Sequence, residues 1–548
     1  MSEINLPHGG VLTERLVSRD EAIAWRKQKN LKAVWSLTLR QLCDLEMIMS
    51  GAFSPLTGFL TRADYDSVVT RMRLQDGTFW PMPITLDVSD SFAEKLAMGD
   101  AIGLADADGA LLAVLEIEDR WQPDLQHEAL QVYQTQDLAH SGVARLSRSH
   151  TTYLGGTIHG LEMPQHFDFP HLRHTPRQRR DLLAILGWSR VLAFQTKNPM
   201  HRTHIELIRR AAYEVDGKIL LHLVVGETQA DDIDHYRRMH SYEHIQRQNA
   251  DIDLQLSMLP LAMRMAGLRE ALLHAIVCKN YGCTHLIVGH DYAGPAGNFY
   301  PPHAAQESVA QHEDELGIKM VSLQPLPYVK EQDTFDLADA HPVTGKRGVT
   351  IFFTGFSGAG KSTIAKALLA RLMAVGDRSV TLLDGDIVRQ HLSSELGFSR
   401  AHRDLNILRI GFVASEITKH GGIAICAPIA PYAATRRQVR AMVETHGRFI
   451  EVFVSTSLEL CEARDRKGLY AKARAGMIKE FTGIDDPYEV PQNPELIIDT
   501  AICTPLEAAN RILSVLQHQH PVIRERIETV MSSIDSDATK RLSISSNP

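Results

Sequence analysis

Gly355-Phe-Ser-Gly-Ala-Gly-Lys-Ser362 lies between the apolar run Val349-Thr-Ile-Phe-Phe-Thr354 and the segment Thr363-Ile-Ala-Lys-Ala-Leu-Leu-Ala-Arg-Leu372. The order reads as strand, glycine loop and helix. In that setting the pattern G-x-x-x-x-G-K-S has a mechanism, because backbone N–H groups and a helix N-terminus wrap a phosphate group. Lys361 is placed to reach the β- and γ-phosphates, and Ser362 to ligate magnesium. Gly355, Ser357, Gly358, Ala359, Gly360 and Thr363 complete the cradle. The alternative, a tight turn without a ligand, requires neither the lysine nor the serine at those offsets.

At 548 residues the chain exceeds what one core serves, and its length suggests about three or four domains. Apolar residues make up 44% and charged residues 23%, with no apolar stretch long enough to span a bilayer, so no membrane partner is expected. The N-terminus lacks a basic start followed by an apolar run, which leads us to expect a cytoplasmic protein. The six cysteines are scattered without a C-x-x-C pair and read as reduced thiols. A formal net charge of −8 argues against nucleic acid as a partner and turns the search toward local basic clusters that would hold small anions.

Residues 1–170 alternate short β-branched runs with turns: Phe79 to Val88, Ala101 to Leu104 and Leu111 to Ile117. The spacing predicts a β-rich domain. Within it, Gly51-Ala-Phe-Ser-Pro-Leu-Thr-Gly-Phe59 reads either as a packed loop or as a ligand contact. From 171 to 330 helix and strand alternate, which predicts a parallel sheet with ligands at the carboxyl ends of its strands. Residues 331–346 read as a linker, 347–520 as a second α/β unit, and 521–548 as a C-terminal tail.

Two clusters carry chemistry. In Gln195-Thr-Lys-Asn-Pro-Met-His-Arg-Thr-His204 two histidines three apart stand at a helix start, where an anion is favoured; alone, such a pair is more often a metal-free structural pair or a capped turn. Beyond the glycine loop, Ser379 to Leu383 ends in Asp384-Gly-Asp386, two carboxylates able to serve a magnesium ion or accept a proton from a hydroxyl. An Asx turn is the plainer reading. Arg403, Asn406 and Arg409 recur at i, i+3 and i+6 and are expected on one helix face, either toward an anion or toward solvent. The segment from Lys467 to Glu489 carries cations and aromatics between glycines, as a closing lid would.

The C-terminal motifs closely resemble those of adenylylsulfate (APS) kinases: Gly355 to Thr363, Asp384-Gly-Asp386 with Arg389, Arg403-x-x-Asn406-x-x-Arg409, Lys467-Gly-Leu-Tyr470 and Phe481-Thr-Gly-Ile-Asp-Asp-Pro-Tyr-Glu489. The resemblance implies transfer of the ATP γ-phosphoryl group, with Mg2+, to the 3′-hydroxyl of APS. It implies Asp386 as base with Lys361 as catalytic cation, and APS contacts from Arg389, Phe398, Arg403, Asn406, Lys467 and Phe481. Where that family often has I-S-P-Y, this chain has Ile429-Ala-Pro-Tyr432, so no hydroxyl at 430 can carry phosphate.

Over residues 1–330 the chain resembles ATP sulfurylases, in the Gln195 to His204 segment, Gly51-Ala-Phe-Ser-Pro-Leu, Ile233-Asp-His-Tyr236, Leu259-Pro-Leu-Ala-Met-Arg-Met-Ala-Gly267 and Val288-Gly-His-Asp-Tyr-Ala-Gly-Pro295. The resemblance implies an α/β multidomain fold with an N-terminal PUA-like domain, a Rossmann-like nucleotidyltransferase domain and a C-terminal P-loop kinase. It also implies a homo-oligomer, ATP and sulfate as substrates, and a site built from Gln195, Thr196, Lys197, Asn198, His201, His204, His290, Asp291 and Ala293. The family has arginine at the positions of Lys197 and His290, and histidine at that of Tyr292. Lysine lacks the two-pronged guanidinium grip, and histidine is largely neutral near pH 7. The expectation is therefore an APS kinase with a weak or inactive sulfurylase. The alternatives are a fully bifunctional enzyme, an N-terminal scaffold or ligand sensor, and a generic P-loop regulator.

Overall fold

The structure, a computed structural model, describes residues 4–27, 31–198, 200, 202–226, 235–249, 252–290, 292–295, 297, 299–322, 348–375, 378–397, 399–465 and 468–517. They fall in two compact units: residues 1–165 with 169–335, and residues 166–168 with 336–548.

The first unit holds two sheets. In the N-terminal one, β1 (Leu31–Ser36), β2 (Gly58–Phe59), β3 (Leu86–Val88), β4 (Ala101–Ala105), β5 (Leu111–Trp121) and β6 (Thr152–Gly160) lie in the order β1-β4-β5-β6-β2, with β3 also on β6. All pairs are antiparallel except β1 with β4. The stretch Phe79 to Val88 is strand only from Leu86, because Pro81 and Pro83 have no N–H to give a ladder. The Gly51–Phe59 segment is a packed loop that runs into β2: Ala52 and Phe53 are fully buried, and Asn280 Nδ2 donates to the carbonyls of Ala52 and Ser54 at 3.0 and 3.1 Å.

The second sheet is wholly parallel. Its strands β7 (Val191–Thr196), β8 (Lys218–Val224), β9 (Leu254–Leu259), β10 (His285–Val288) and β11 (Lys319–Ser322) run in the order β11-β10-β7-β8-β9. Helix Pro176–Ile185 precedes it, started by a capping box between Thr175 and Gln178. Helix Leu268–Asn280 is buried at almost every position, including Glu270, His274 and Cys278, as expected of a helix enclosed by protein.

The second unit carries one parallel sheet, β12 (Val349–Thr354), β13 (Val380–Asp384), β14 (Ile423–Ala427), β15 (Arg448–Val454) and β16 (Leu496–Ile498), ordered β13-β14-β12-β15-β16. Every residue of β12 is buried, so its unbroken apolar run reflects a central strand covered on both faces. The glycine loop leaves its carboxyl end and enters helix Lys361–Val375. No described helix is long and apolar enough to cross a membrane.

Candidate functional site

The glycine loop is held in one shape by its neighbours. Gly355 has φ +146°, and a Cβ there would lie 2.5 Å from the Val454 carbonyl oxygen, so the tight passage from β12 into the loop excludes a side chain. Tyr470 donates its hydroxyl to the Ser357 carbonyl at 2.9 Å. The Thr456 and Thr500 hydroxyls lie 2.7 Å apart, and each is within hydrogen-bond distance of the Ala359 carbonyl oxygen, at 3.2 and 3.0 Å, so their two protons tie the three oxygens together. Lys361, buried, donates Nζ to the carbonyls of Gly355 and Phe356 at 2.9 and 2.6 Å. Its charge is thereby bent back over the loop it serves.

Ser362 donates to Asp384 Oδ2 at 2.7 Å, while Asp384 Oδ1 accepts the Asp386 N–H at 3.0 Å and caps helix Gly385–Leu392. One buried carboxylate thus ties the loop serine to the helix that carries the exposed Asp386. The Asx turn of Asp384-Gly-Asp386 is present, and it leaves the Asp386 side chain exposed. Two hard oxygen donors side by side suit magnesium, which takes few protein ligands and relies on phosphate oxygens and water for the rest.

Next to this, Arg403 donates Nη1 to Thr482 Oγ1 and Asp486 Oδ2, each at 2.7 Å. Tyr432 hydroxyl also reaches Asp486, at 3.0 and 2.8 Å from its two oxygens, and Arg400 lies 4.4 Å over the Tyr432 ring. Burial and the neighbouring Asp486 carboxylate push the Tyr432 phenol up to about 12, so it stays a donor. Asn406 is buried with no hydrogen-bond partner for its Oδ1, leaving an acceptor open to a ligand. Arg389 donates to the carbonyls of Leu396 and Gly397, both at 3.0 Å. Phe481 is half-buried with its ring edge-on to Tyr470 at 5.0 Å.

Two expectations change. Arg409 turns away from Arg403 and donates to the Leu392 carbonyl and to Glu395, both at 2.6 Å, because six residues at 3.6 per turn carry it past the shared face. The segment expected to form a lid is fastened to the phosphate loop through Tyr470, and helix Leu469–Arg474 forms part of the loop's wall. Phe398 and Lys467 lie outside the described residues. Sequence reasoning passed over Asp486 and Tyr432 as partners of Arg403. Asp486 stands inside the Phe481 to Glu489 motif, so its carboxylate was visible there, but its partners lie 83 and 54 residues away.

In the first unit, β7 ends at Gln195 and Thr196. Thr196 Oγ1 accepts the Asn198 N–H at 3.0 Å and donates to the Asn198 carbonyl at 3.1 Å, closing the turn. The Lys197 carbonyl accepts from buried Arg238, and the Asn198 carbonyl from Tyr242. Lys197 and His204 are half-buried and His290 is exposed. The His290 ring meets His303 edge-on at 4.5 Å. Ala293, at φ +55°, turns its carbonyl to accept the Gly267 N–H at 3.0 Å. Tyr292 points inward. Its hydroxyl donates to Gln195 Oε1 at 3.2 Å and lies 3.1 Å from His274 Nδ1, and burial pushes its phenol well above the usual range. His201 and Asp291 lie outside the described residues.

Behind this site runs a buried ionic network. His274 Nε2 lies 3.6 Å from Glu270, which accepts the backbone N–H groups of Arg264 and Ala266 at 2.7 and 3.0 Å. Arg264 donates to Asp44 Oδ1 at 2.7 Å and to the Ala262 carbonyl at 2.9 Å. The sequence motif that contains Arg264 is thus in part an internal brace.

Comparison with known proteins gives three consecutive family matches: a PUA-like domain over residues 5–163, ATP-sulfurylase over 170–355 and adenylylsulphate kinase over 347–499. A sulfate adenylyltransferase of Phaeosphaeria nodorum is 42% identical over 570 residues, covering 94% of this chain and 99% of that protein. One of Chaetomium globosum is 42% identical over 567 residues with the same coverage. A solved structure described as a hexameric APS kinase from Thiobacillus denitrificans is 36% identical, covers 94% of this chain and 99% of that one, and superposes with a TM-score of 0.52.

Proposed function

The chain belongs to the family that joins ATP sulfurylase to adenylylsulfate kinase, with PUA-like, nucleotidyltransferase-like and P-loop kinase domains in that order, and from that premise we propose how its kinase acts. ATP lies with its phosphates in the loop 355–363, and APS lies against Arg389, Arg403 and Asn406. The APS 3′-oxygen attacks the γ-phosphorus in line, the bond to the β-phosphate oxygen breaks, and ADP leaves. Asp386 accepts the hydroxyl proton, and Lys361 neutralises charge on the transferring group. Magnesium, held through Ser362 and Asp384, supplies further charge neutralisation when bound. The observation that carries this reading is the Ser362–Asp384–Asp386 relay, which sets loop and base in one frame. With Ala430 in place of a hydroxyl residue, transfer is direct. The test is APS-dependent ADP formation by the purified protein; ADP formation without APS, or a phosphoprotein with ATP alone, would contradict it.

Asp486 positions Arg403 and Tyr432 rather than touching the reacting atoms. Asp486→Ala is expected to raise the KM for APS about tenfold, since charged hydrogen bonds contribute about 1.5–3 kcal/mol, with kcat less affected. Equal loss of kcat and kcat/KM would place Asp486 in the chemical step instead.

For the first unit the comparisons favour full bifunctionality: the 42% identical relatives are named for sulfate adenylyltransferase. Lys197, His290 and the inward-turned Tyr292 support a weaker site, because each lost oxyanion donor costs about 10²–10³ in rate. Sulfate-dependent pyrophosphate release decides between them. Turnover matching the kinase supports the bifunctional enzyme. A low rate that rises at least about tenfold in Lys197→Arg with His290→Arg supports the weakened site, on the scale of one restored donor. A homo-oligomer fits the similarity to a structure described as hexameric.

A further inference from the structure

The face of the second sheet that packs on helix Leu268–Asn280 is apolar along most of its strands, with Val191 and Ala193 on β7, Leu220 and Val224 on β8, and Leu259 on β9. Across its middle runs a polar row. Gln195, His222 and Ser257 pair in register, Gln195 with His222 and His222 with Ser257, so the three side chains leave the same face about 4.8 Å apart. All three are buried, and Gln195 Nε2, His222 Nε2 and Ser257 Oγ have no hydrogen-bond partner. Three such orphans aligned on neighbouring strands are not chance packing faults, since buried polar atoms go unpaired only rarely.

Beside the row stands Arg179, which has no exposure at all. It donates Nη2 to the carbonyl of Leu256, the residue before Ser257, at 2.9 Å, and Nη2 lies 3.0 Å from His174 Nδ1. Its Nε and Nη1 have no partner. Among the described residues no carboxylate bears on it. The groups that favour its charge are the Tyr281 phenol, which burial pushes above its usual range, and the Cys283 thiol. Burial lowers Arg179 to about 10, which leaves it a cation at neutral pH. The Tyr281 ring also packs edge-on against His222 at 4.7 Å, which brings guanidinium, imidazole and phenol together.

Every unsatisfied group here donates. His222 is neutral, because burial and the neighbouring Arg179 push it down to about 3. Its Nδ1 lies 3.8 Å from the Cys278 thiol; with the S–H donating that hydrogen bond, the neutral ring carries its own proton on Nε2. Water can accept only two hydrogen bonds and carries no charge to offset the guanidinium, whereas a halide accepts four or more. A buried charge left unpaired costs several kcal/mol even after relaxation. A divalent anion would leave one charge uncompensated.

We propose that Arg179, His222 and Ser257 form an internal binding site for one monovalent inorganic anion of chloride size, set behind Gln195 in the interior of the first unit. It is distinct from any sulfate position at the strand ends, because Arg179 reaches β9 through helix Pro176–Ile185 rather than through the Gln195 to His204 loop.

The probe is bromide, used with the full-length protein. Crystals grown in bromide are expected to show an anomalous peak in contact with Arg179 Nη1 or Nε and with His222 Nε2. In solution, the unfolding temperature is expected to rise with bromide at ionic strength held constant by isethionate. In Ser257→Ala, a change without bulk, the half-saturating bromide concentration is expected to rise about tenfold. Ordered water at the site with no anomalous signal would overturn the proposal. So would a bromide response identical in Ser257→Ala and the unaltered protein, since the anion would then act elsewhere.

Discussion

Lys361→Met is expected to lower APS-dependent ADP formation by about 10²–10³, the effect of removing one preorganised charge donor, or about 2.7–4 kcal/mol of barrier. The size follows from where Nζ sits. It is buried and held by the carbonyls of Gly355 and Phe356 at 2.9 and 2.6 Å, so its charge already stands within the loop that receives the phosphates. Lys361→Arg is expected to restore little, since a planar guanidinium is wider than the ammonium enclosed by those two carbonyls. The loop itself is held by Tyr470, Thr456 and Thr500, none of which touches Lys361 in these bonds. Unfolding temperature should therefore change little. A methionine variant with more than about a tenth of the original rate would remove Lys361 from transition-state stabilisation.

The second large effect concerns stability. Arg264→Met is expected to cost about 3–5 kcal/mol, because it strands Asp44 in the interior. Arg264 has no side-chain exposure and Asp44 only 3%; of the other cations that bear on Asp44, Arg40 lies 4.0 Å away and Arg145 acts only through its charge. The unfolding transition of the first unit should fall by roughly 4–7 °C. Changing both partners, Asp44→Leu with Arg264→Met, should recover most of that loss, since a buried pair is often no better than apolar groups of like volume. Calorimetry of the two variants decides it. A single variant within about 1 kcal/mol of the original would mean that water reaches Asp44.

How much of this was legible from the chain depended on distance along it. The strand, loop and helix at 349–375 were read correctly because each signal is local: an apolar run, glycines at fixed offsets, and a helix start. β6 was missed although it pairs with three strands. Its glycines look like strand breakers, yet they are demanded by close approach: a Cβ at Gly155 would lie 2.2 Å from the Leu60 carbonyl oxygen, and one at Gly156 2.0 Å from that of Glu116. The same limit holds at the sites. Lys361 and Ser362 announce themselves within one motif, and Asp386 within the next. Arg264 stands within a segment that resembles the sulfurylases, but its partner Asp44 is 220 residues away, and no spacing rule connects them. Likewise the row Gln195–His222–Ser257 arises from sheet register, which single residues in three separate strands do not reveal.

The brace formed by Asp44, Arg264, Glu270 and His274 carries an evolutionary consequence. It supports the sulfurylase-like site from the interior, whereas Lys197 and His290 stand at its rim, one half-buried and one exposed. Exchanges at the rim alter stability by no more than about 0.5 kcal/mol, as is usual for surface positions. Selection on folding is therefore nearly blind to them. On the proposed reading of Lys197 and His290, descendants of such a chain can gain or shed the first reaction through two or three point changes while the scaffold, and the kinase it shares a polypeptide with, persist unaltered.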